Sequence, residues 1–396
     1  MLSRSPMLER GLASFRTPRA RSAVLAIASV SVVALLLAAA VPAQAAVSCR
    51  VRNARTDVAY RSLVRAIRLA RAGDSLRIHG VCHGSGLPPN PAFEIGKNLT
   101  LRGISTPTSG PATLDAATPG GDQLQSVVLV DRGVSVTLRG LVIRRGWVDG
   151  IHAERGAHVK IVDSSVRANS QGGVYADGGV TLIRDSRIVS NGTYGVAAVE
   201  KHHGVLRIER SVLSGNVNGA PILAEYASVM MTDSSVRSNY GTYSGGMAFY
   251  KSTVTIRGST IVHNVNLEGP DTDGTGGGMS IDMSIVVLID SSLRNNDASS
   301  YGGGVYIRGD PYGVLASSLT LAGRSVIQRN ASGTNGWGAV GGGVAVDGGA
   351  TVSAADGTSD VDPITGKLLP VWTGRISDNT PDDCAELGGT VELICG

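Results

Sequence analysis

The chain has 396 residues with 53 Gly, only 3 Phe and 3 Trp, 17% charged residues and a mean hydropathy of +0.10. That is too glycine-rich and aromatic-poor for an ordinary layered core, yet 42% hydrophobic residues exclude a disordered chain. The formal charge is +4, and the first 45 residues hold five Arg against one Glu, so the remainder balances and composition predicts no basic footprint for nucleic acid.

At the N-terminus, Arg16, Arg19 and Arg21 precede an uncharged run of Ala, Val and Leu over residues 23–41. Pro42 ends it, and Ala43-Gln44-Ala45 offers a small-x-small site. This predicts an export signal over 1–45 cleaved after Ala45. An uncleaved anchor is the alternative, because the run is long enough to span a bilayer. No second run of that length follows, so no membrane span is expected after cleavage.

Export gives the four cysteines a meaning. Cys49 and Cys82 lie near one end, Cys384 and Cys395 near the other. Four cysteines allow three pairings. A rigid body between the groups favours Cys49–Cys82 and Cys384–Cys395, closed in an oxidising compartment. Their spacings fit no zinc pattern.

A cap is expected over 46–82. Thr56 or Asp57 is a candidate N-cap for a helix running to about Ala72, stopped by Gly73. Val64, Ile67 and Ala70 or Arg71 would share a face with Leu63 beside them. Arg61, Arg65, Arg68 and Arg71 read as a solvated face. Residues 74–78 would begin the first strand.

The middle of the chain, 83–380, repeats. Asn169, Asn191, Asn216, Asn239, Asn264, Asn296, Asn330 and Asn379 recur at intervals of 22, 25, 23, 25, 32, 34 and 49. Before each early Asn runs one frame, as in Val159-x-Ile161-x-x-Ser164-x-Val166-x-x-Asn169. After it comes a Gly-led strand, as in Gly173-Val174-Tyr175-Ala176. Each unit therefore holds three short pieces of period-2 alternation, and none of period 3.6. Three short strands per 22–25 residues describe one coil of a parallel β-helix. About ten coils at roughly 4.8 Å each make a rod of roughly 50 Å. Aliphatic residues stacked coil upon coil fill its narrow core without aromatics. The Asn should occupy the left-handed corner and stack its amides into a ladder. The strand-entry Gly should supply positive φ at another corner. Leucine-rich repeats share the period, but the post-Asn segment here reads as turn and strand, not helix. A C-terminal cap is expected over 381–396, closed by its disulfide.

The segment 63–78, the run Lys97-Asn98-Leu99-Thr100-Leu101-Arg102-Gly103, the repeats and Asn379-Thr380-Pro381-Asp382-Asp383-Cys384 resemble the right-handed parallel β-helix proteins of the pectin-lyase-like superfamily, secreted bacterial type. The resemblance implies an all-β, single-stranded right-handed parallel β-helix with an N-terminal capping helix. The fold hosts lyases, hydrolases, epimerases, adhesins and inert stalks. Its enzymes act on acidic polysaccharides through carboxylates for Ca²⁺ with a basic residue, or through clustered Asp.

Those residues are not expected in the outward row His152, Tyr175, Ala197, Ile222, Ala248, Ser280, Tyr306 and Ala345, nor in the row Lys160, Leu182, Arg207, Met230, Thr255, Val287 and Thr320. Asp163, Asp185, Asp233 and Asp290 form a carboxylate ladder, interrupted at Arg210, Gly258 and Arg324, that reads as turn capping. Arg144, Arg167, Arg237 and Arg294 point outward, either to pair with nearby acids or to grip an anionic glycan. Glu268, Asp271 and Asp273 lie in a Gly-rich insertion lacking the later ligands of a calcium loop. His202-His203 alone make no metal site. No cofactor is expected. Tyr243, Tyr250, Tyr301, Tyr306 and Trp337 collect near the later insertions and form the candidate binding surface, since rings stack on sugars or partner chains. The sequence thus points to an exported, non-catalytic binding or structural module of the cell surface or envelope, with a glycan or envelope component as partner. The alternative is a polysaccharide lyase or epimerase working through the loop-rich C-terminal half.

Overall fold

The computed structural model describes residues 48–84, 89–107, 109–117, 125–199, 204–267, 275–310, 315–333, 340–387 and 390–391. The expected export signal, Cys395, Trp337, Asp271, Asp273 and His202-His203 lie outside the described residues.

The alternating pieces fold as three long sheets wound by one chain. The first sheet has 14 strands, the second 11 and the third 11, and every neighbour between coils is parallel. One coil illustrates the rest: His158–Val162 lies in the first sheet, Ser165–Arg167 in the second, and Gly172–Asp177 in the third. Inward columns stay in register. Val159 pairs with Thr181, Ile161 with Ile183, Val166 with Ile188 and Val174 with Val196. All of these residues are buried, every one but Thr181 aliphatic, and the core contains one Phe from each half, Phe93 and Phe249. In the later coils a fourth sheet of four two-residue strands begins at Tyr240–Gly241 and adds a side after the Asn corner.

The asparagines form a continuous column. Asn169 Nδ2 donates to Asn191 Oδ1 at 2.9 Å, and the pattern repeats through Asn216, Asn239, Asn264, Asn296 and Asn330 to Asn379. Each Oδ1 also accepts the backbone N–H of the preceding Asn, as from Asn191 N to Asn216 Oδ1 at 3.1 Å. Asp383 ends the column, accepting from Asn379 Nδ2 at 2.8 Å. A second column runs at another corner, where Ser164 N donates to Ser186 Oγ and so on through Ser211, Ser234, Ser259, Ser291 and Ser325.

Two corner expectations are corrected. The left-handed residue is the one before the Asn: Ala168, Ser190, Gly215, Ser238, His263, Asn295 and Arg329, with φ from 51° to 64°. The Asn itself keeps ordinary φ so that its amide points into the column. The strand-entry Gly also lacks positive φ. It is needed for space, because a Cβ on Gly173 would sit 2.4 Å from Gly195 O and 2.9 Å from Asn191 Nδ2.

The N-terminal lid differs from the expected helix. The chain first forms Arg50–Asn53, antiparallel to Ser75–His79 and to Ala59–Tyr60. Asp57 occupies a left-handed turn at φ 61°, so it caps nothing. The helix is Leu63–Leu69, capped by Ser62 Oγ accepting from Arg65 N. Its buried face is Leu63, Ala66 and Ile67 rather than Val64, because starting at Ser62 rotates the stripe. Arg61, Arg65, Arg68 and Arg71 are exposed. Cys49 and Cys82 are bonded, tying the lid to the second sheet.

At the other end a strap over residues 355–373 crosses the outer face of the first sheet. Ala355 and Leu369 pack on Val287, Ile289 and Ala322. Thr255 Oγ1 donates to Asp362 Oδ1 at 2.7 Å. No helix among the described residues is long and apolar enough to cross a membrane.

Candidate functional site

The strap covers Thr255 and Val287 on the first sheet, so that row is closed at its C-terminal end. The outer face of the third sheet is accessible in part: His152, Tyr175, Leu223 and Ser280 are half-buried, whereas Ala197, Ala248, Tyr306 and Ala345 are buried. There the pairing places His152, Tyr175, Ala197, Leu223, Ala248, Ser280, Tyr306 and Ala345 in one column. Leu223 stands where the sequence suggested Ile222. Ile222 faces inward and is fully buried, because Pro221 shifts the Gly-led frame by one residue in that coil.

Two residues further along each strand lies a column the sequence reading missed: Asp177, Val199, Glu225, Tyr250, Asp282, Arg308 and Asp347. Its signal was present, since each third-sheet strand alternates once more before its turn. Over coils with Leu223, Ala248 and Ser280 as a floor, this column faces Tyr243 and Thr275 across a groove of about 570 Å³. The added fourth side of the rod supplies that opposite wall.

The groove brings together three of the five candidate aromatics. Tyr243 is 68% exposed, whereas Tyr306 is 7% exposed and its hydroxyl donates to Asp347 Oδ2 at 3.1 Å. Tyr306 is therefore a fixed wall. Tyr301 stacks on it from behind, with centroids 6.1 Å apart. Tyr250 meets Tyr226 edge-on at 5.6 Å, and Lys251 Nζ lies 5.0 Å from the Tyr250 centroid. Hydrogen bonding to Tyr250 and Tyr226 pushes the Lys251 ammonium above its ordinary range. Asp282 Oδ2 accepts from Arg308 at 2.7 Å. Its other oxygen is buried without a partner among the described residues. Asp282 and Arg308 together line the groove wall as a paired carboxylate and guanidinium.

A second constellation sits three coils earlier than Leu223 on the same face. Asp149, 1% exposed, accepts from Tyr194 Oη at 2.6 Å and bonds His152 Nδ1 at 2.9 Å. A carboxylate can only accept, so His152 Nδ1 carries the proton and Nε2 is left as the acceptor. His152 stacks on Tyr175 at 4.7 Å. Burial, then the Asp149 charge, push the Tyr194 phenol far up. Burial, then Asp177, Asp149 and Glu225, raise Tyr175. This arrangement can hold an imidazole as a base against an outer face that is locally negative.

The remaining candidates fall elsewhere. Asp163, Asp185, Asp233 and Asp290 occupy left-handed corners with φ of 48° to 50°, in a column shared with Arg210, Gly258 and Gly323. Gly323 rather than Arg324 holds the last corner. Asp163 pairs with Arg139 at 3.1 Å and Asp185 with Arg210 at 2.8 Å. Among the described residues no group of three or more His, Cys, Asp or Glu could hold a metal ion. Arg144 pairs with the fully buried Asp115 at 2.9 Å, helped by Arg145. Among the described residues Arg167, Arg237 and Arg294 make no ion pair, and the nearby Asp163, Asp185 and Asp290 pair with Arg139, Arg210 and Arg324.

The columns, corners and parallel register define a right-handed β-helix. The model of the right-handed beta helix region matches residues 149–351, and the chain belongs to that family. Among solved structures the chain resembles the pectate lyase Pel9A at 13% identity and TM-score 0.44, over 67% of this chain and 71% of that one. It resembles the A-module of the Azotobacter vinelandii mannuronan C-5 epimerase AlgE4 at 15% identity and TM-score 0.45, over 83% and 93%. It resembles tailspike protein 2 of the Escherichia coli O157:H7 bacteriophage CAB120 at 10% identity and TM-score 0.41, over 76% of this chain and 38% of that one. Likeness at these values carries no argument about function. No curated protein matches the chain.

Proposed function

We propose that the protein is an exported, non-catalytic β-helix that binds a glycan of the cell surface or envelope in the groove on its third sheet. The observation that supports this reading is the groove itself: exposed Tyr243 and half-buried Tyr250 bracket a cleft of about 570 Å³, with the Asp282–Arg308 pair in its wall. Rings of this kind stack on sugar faces, and fixed carboxylates accept sugar hydroxyls. The test is affinity electrophoresis against neutral and acidic polysaccharides. Tyr250→Ala is expected to weaken retardation by the bound glycan at least tenfold, with no sugar released. Retardation by none of the polymers would overturn the reading.

A second reading is favoured by one observation, the Asp149–His152 pair. It would make the protein a carbohydrate-active enzyme, a lyase or epimerase, using coils of the N-terminal half rather than the loop-rich C-terminal half. Release of unsaturated or reducing sugar that His152→Gln abolishes would establish it and sink the first.

A further inference from the structure

The outer face of the second sheet carries charge that the composition conceals. Its pairing aligns Arg144, Arg167, Val189, Ser214, Arg237, Val262, Arg294 and Gln328 in one column. The parallel column on the same face includes Arg187 and Arg375. Arg145 and Arg329 stand at the adjoining corner. Arg167, Arg187, Arg237, Arg294, Arg329 and Arg375 are all exposed.

Their neighbours do not neutralise them. Asp115 is spent on Arg144 and Arg145. The corner acids Asp163, Asp185 and Asp290 face Arg139, Arg210 and Arg324 instead, and the charge of Asp233, at the same corner, acts on Arg210. Among the described residues, the guanidinium groups of Arg167, Arg187, Arg237, Arg294 and Arg329 make no ion pair or hydrogen bond. The counter-charge lies across the rod, in the third-sheet column of Asp177, Glu225, Asp282 and Asp347.

We propose that this face is a binding surface, separate from the groove, for a linear phosphodiester polymer laid along the rod axis. The column from Arg144 to Arg294 crosses six coil steps, about 29 Å, which suits an extended chain rather than a compact ligand. The guanidinium fork takes two oxygens of one oxyanion at a time. Both outward columns consist of Arg, Val, Ser and Thr from Val142 to Val326, with no aromatic ring. Sugar rings and unpaired bases are held largely by stacking, so this face selects by charge alone. A flexible backbone with permanent phosphate charges meets that requirement, because its phosphates can adjust to the uneven spacing of the arginines. The surface does not depend on the groove being a glycan site.

The test uses poly(glycerol phosphate) as the probe, with a polyuronate, duplex DNA and a neutral glucan beside it. The wild-type protein is expected to bind the phosphate polymer, with affinity falling at a log–log salt slope of roughly −0.7 per contact. The triple variant Arg167→Glu, Arg237→Glu, Arg294→Glu should lose at least tenfold, and Tyr250→Ala should lose nothing. Should the triple variant fold poorly, Arg→Ser at the same positions replaces it, as Ser214 already occupies that column. The proposal is overturned by no binding at low salt, by unchanged binding in the variants, or by equal or tighter binding of the polyuronate or the duplex. Loss of binding in Tyr250→Ala alone would assign the polymer to the groove instead.

Discussion

Gly173 occupies a position where side-chain absence, not backbone freedom, is what the fold needs. The adjacent coil's carbonyl and the Asn191 amide crowd the volume a methyl group would fill. Gly173→Ala should therefore cost about 1–3 kcal/mol by overpacking, read as a lower urea midpoint at unchanged slope. Asn216→Ala should cost a similar amount for a different reason, since it strips the acceptor from both Asn191 N and Asn191 Nδ2 inside the protein. The asparagine column was legible from the sequence because every coil repeats the same side chain. The corner residue before it was not, because Ala168, Ser190, His263 and Arg329 share no chemistry. Stacked backbone on either side holds them in the left-handed region regardless of side chain, and that constraint exists only once coils are piled together.

Among the elements, the strap and the lid carry different kinds of contact. The strap over 355–373 rests on a small apolar patch and one buried hydroxyl–carboxylate bond. Leu369→Ala should release it locally, costing about 2–3 kcal/mol. Hydrogen exchange should show faster exchange in 355–373 while the first-sheet strands beneath keep their protection. A general loss of protection would mean that the strap is part of the coil's own stability. The strap had no sequence signal, because its segment interrupts the repeat and its contacts lie about a hundred residues upstream, as between Thr255 and Asp362. The lid helix had a signal, yet its start was misplaced by several residues. Thr56 and Asp57 are good capping residues in isolation, but the antiparallel pairing of Arg50–Asn53 with Ala59–Tyr60 uses them to turn the chain.

Several of the carboxyls held low lie toward the ends of the rod, whereas Asp185, lowered by its bond from Arg210, sits mid-rod at a partly exposed corner. Hydrogen bonds from Arg55, Asn53 and the Arg71 amide hold Asp74 in the lid well below the usual carboxylate range. Burial alone would raise Asp115, but bonds from Arg145, the Ala117 amide and Arg144 outweigh it and lower it. Backbone amides of Thr358 and Ser359 lower Asp356 in the strap to about 2. A carboxyl depressed in the folded state stabilises fully above its unfolded value, near 3.9, and loses that contribution as pH falls toward its folded value. The Asn and Ser columns in the middle contain no titratable group. Acid should therefore weaken the ends before the middle columns: between about pH 4 and 2, exchange protection should fall first in the lid and strap and last around Asn216 and Asn239. Simultaneous loss along the whole chain would refute this order.

The sequence alone determined the coil, its three faces and the aligned asparagine column, because each depends on a period that repeats whatever the surroundings. Tertiary structure alone decided where charge accumulates. A balanced composition hid one arginine-rich face and one acid-bearing face, since charges separated by 20 or more residues become neighbours only when strands stack in register. It likewise decided the groove, whose opposite wall comes from an added fourth side, and the Asp149–Tyr194 contact, which joins residues two coils apart. Periodicity specifies which way a side chain points; only the packed coils specify what it meets there.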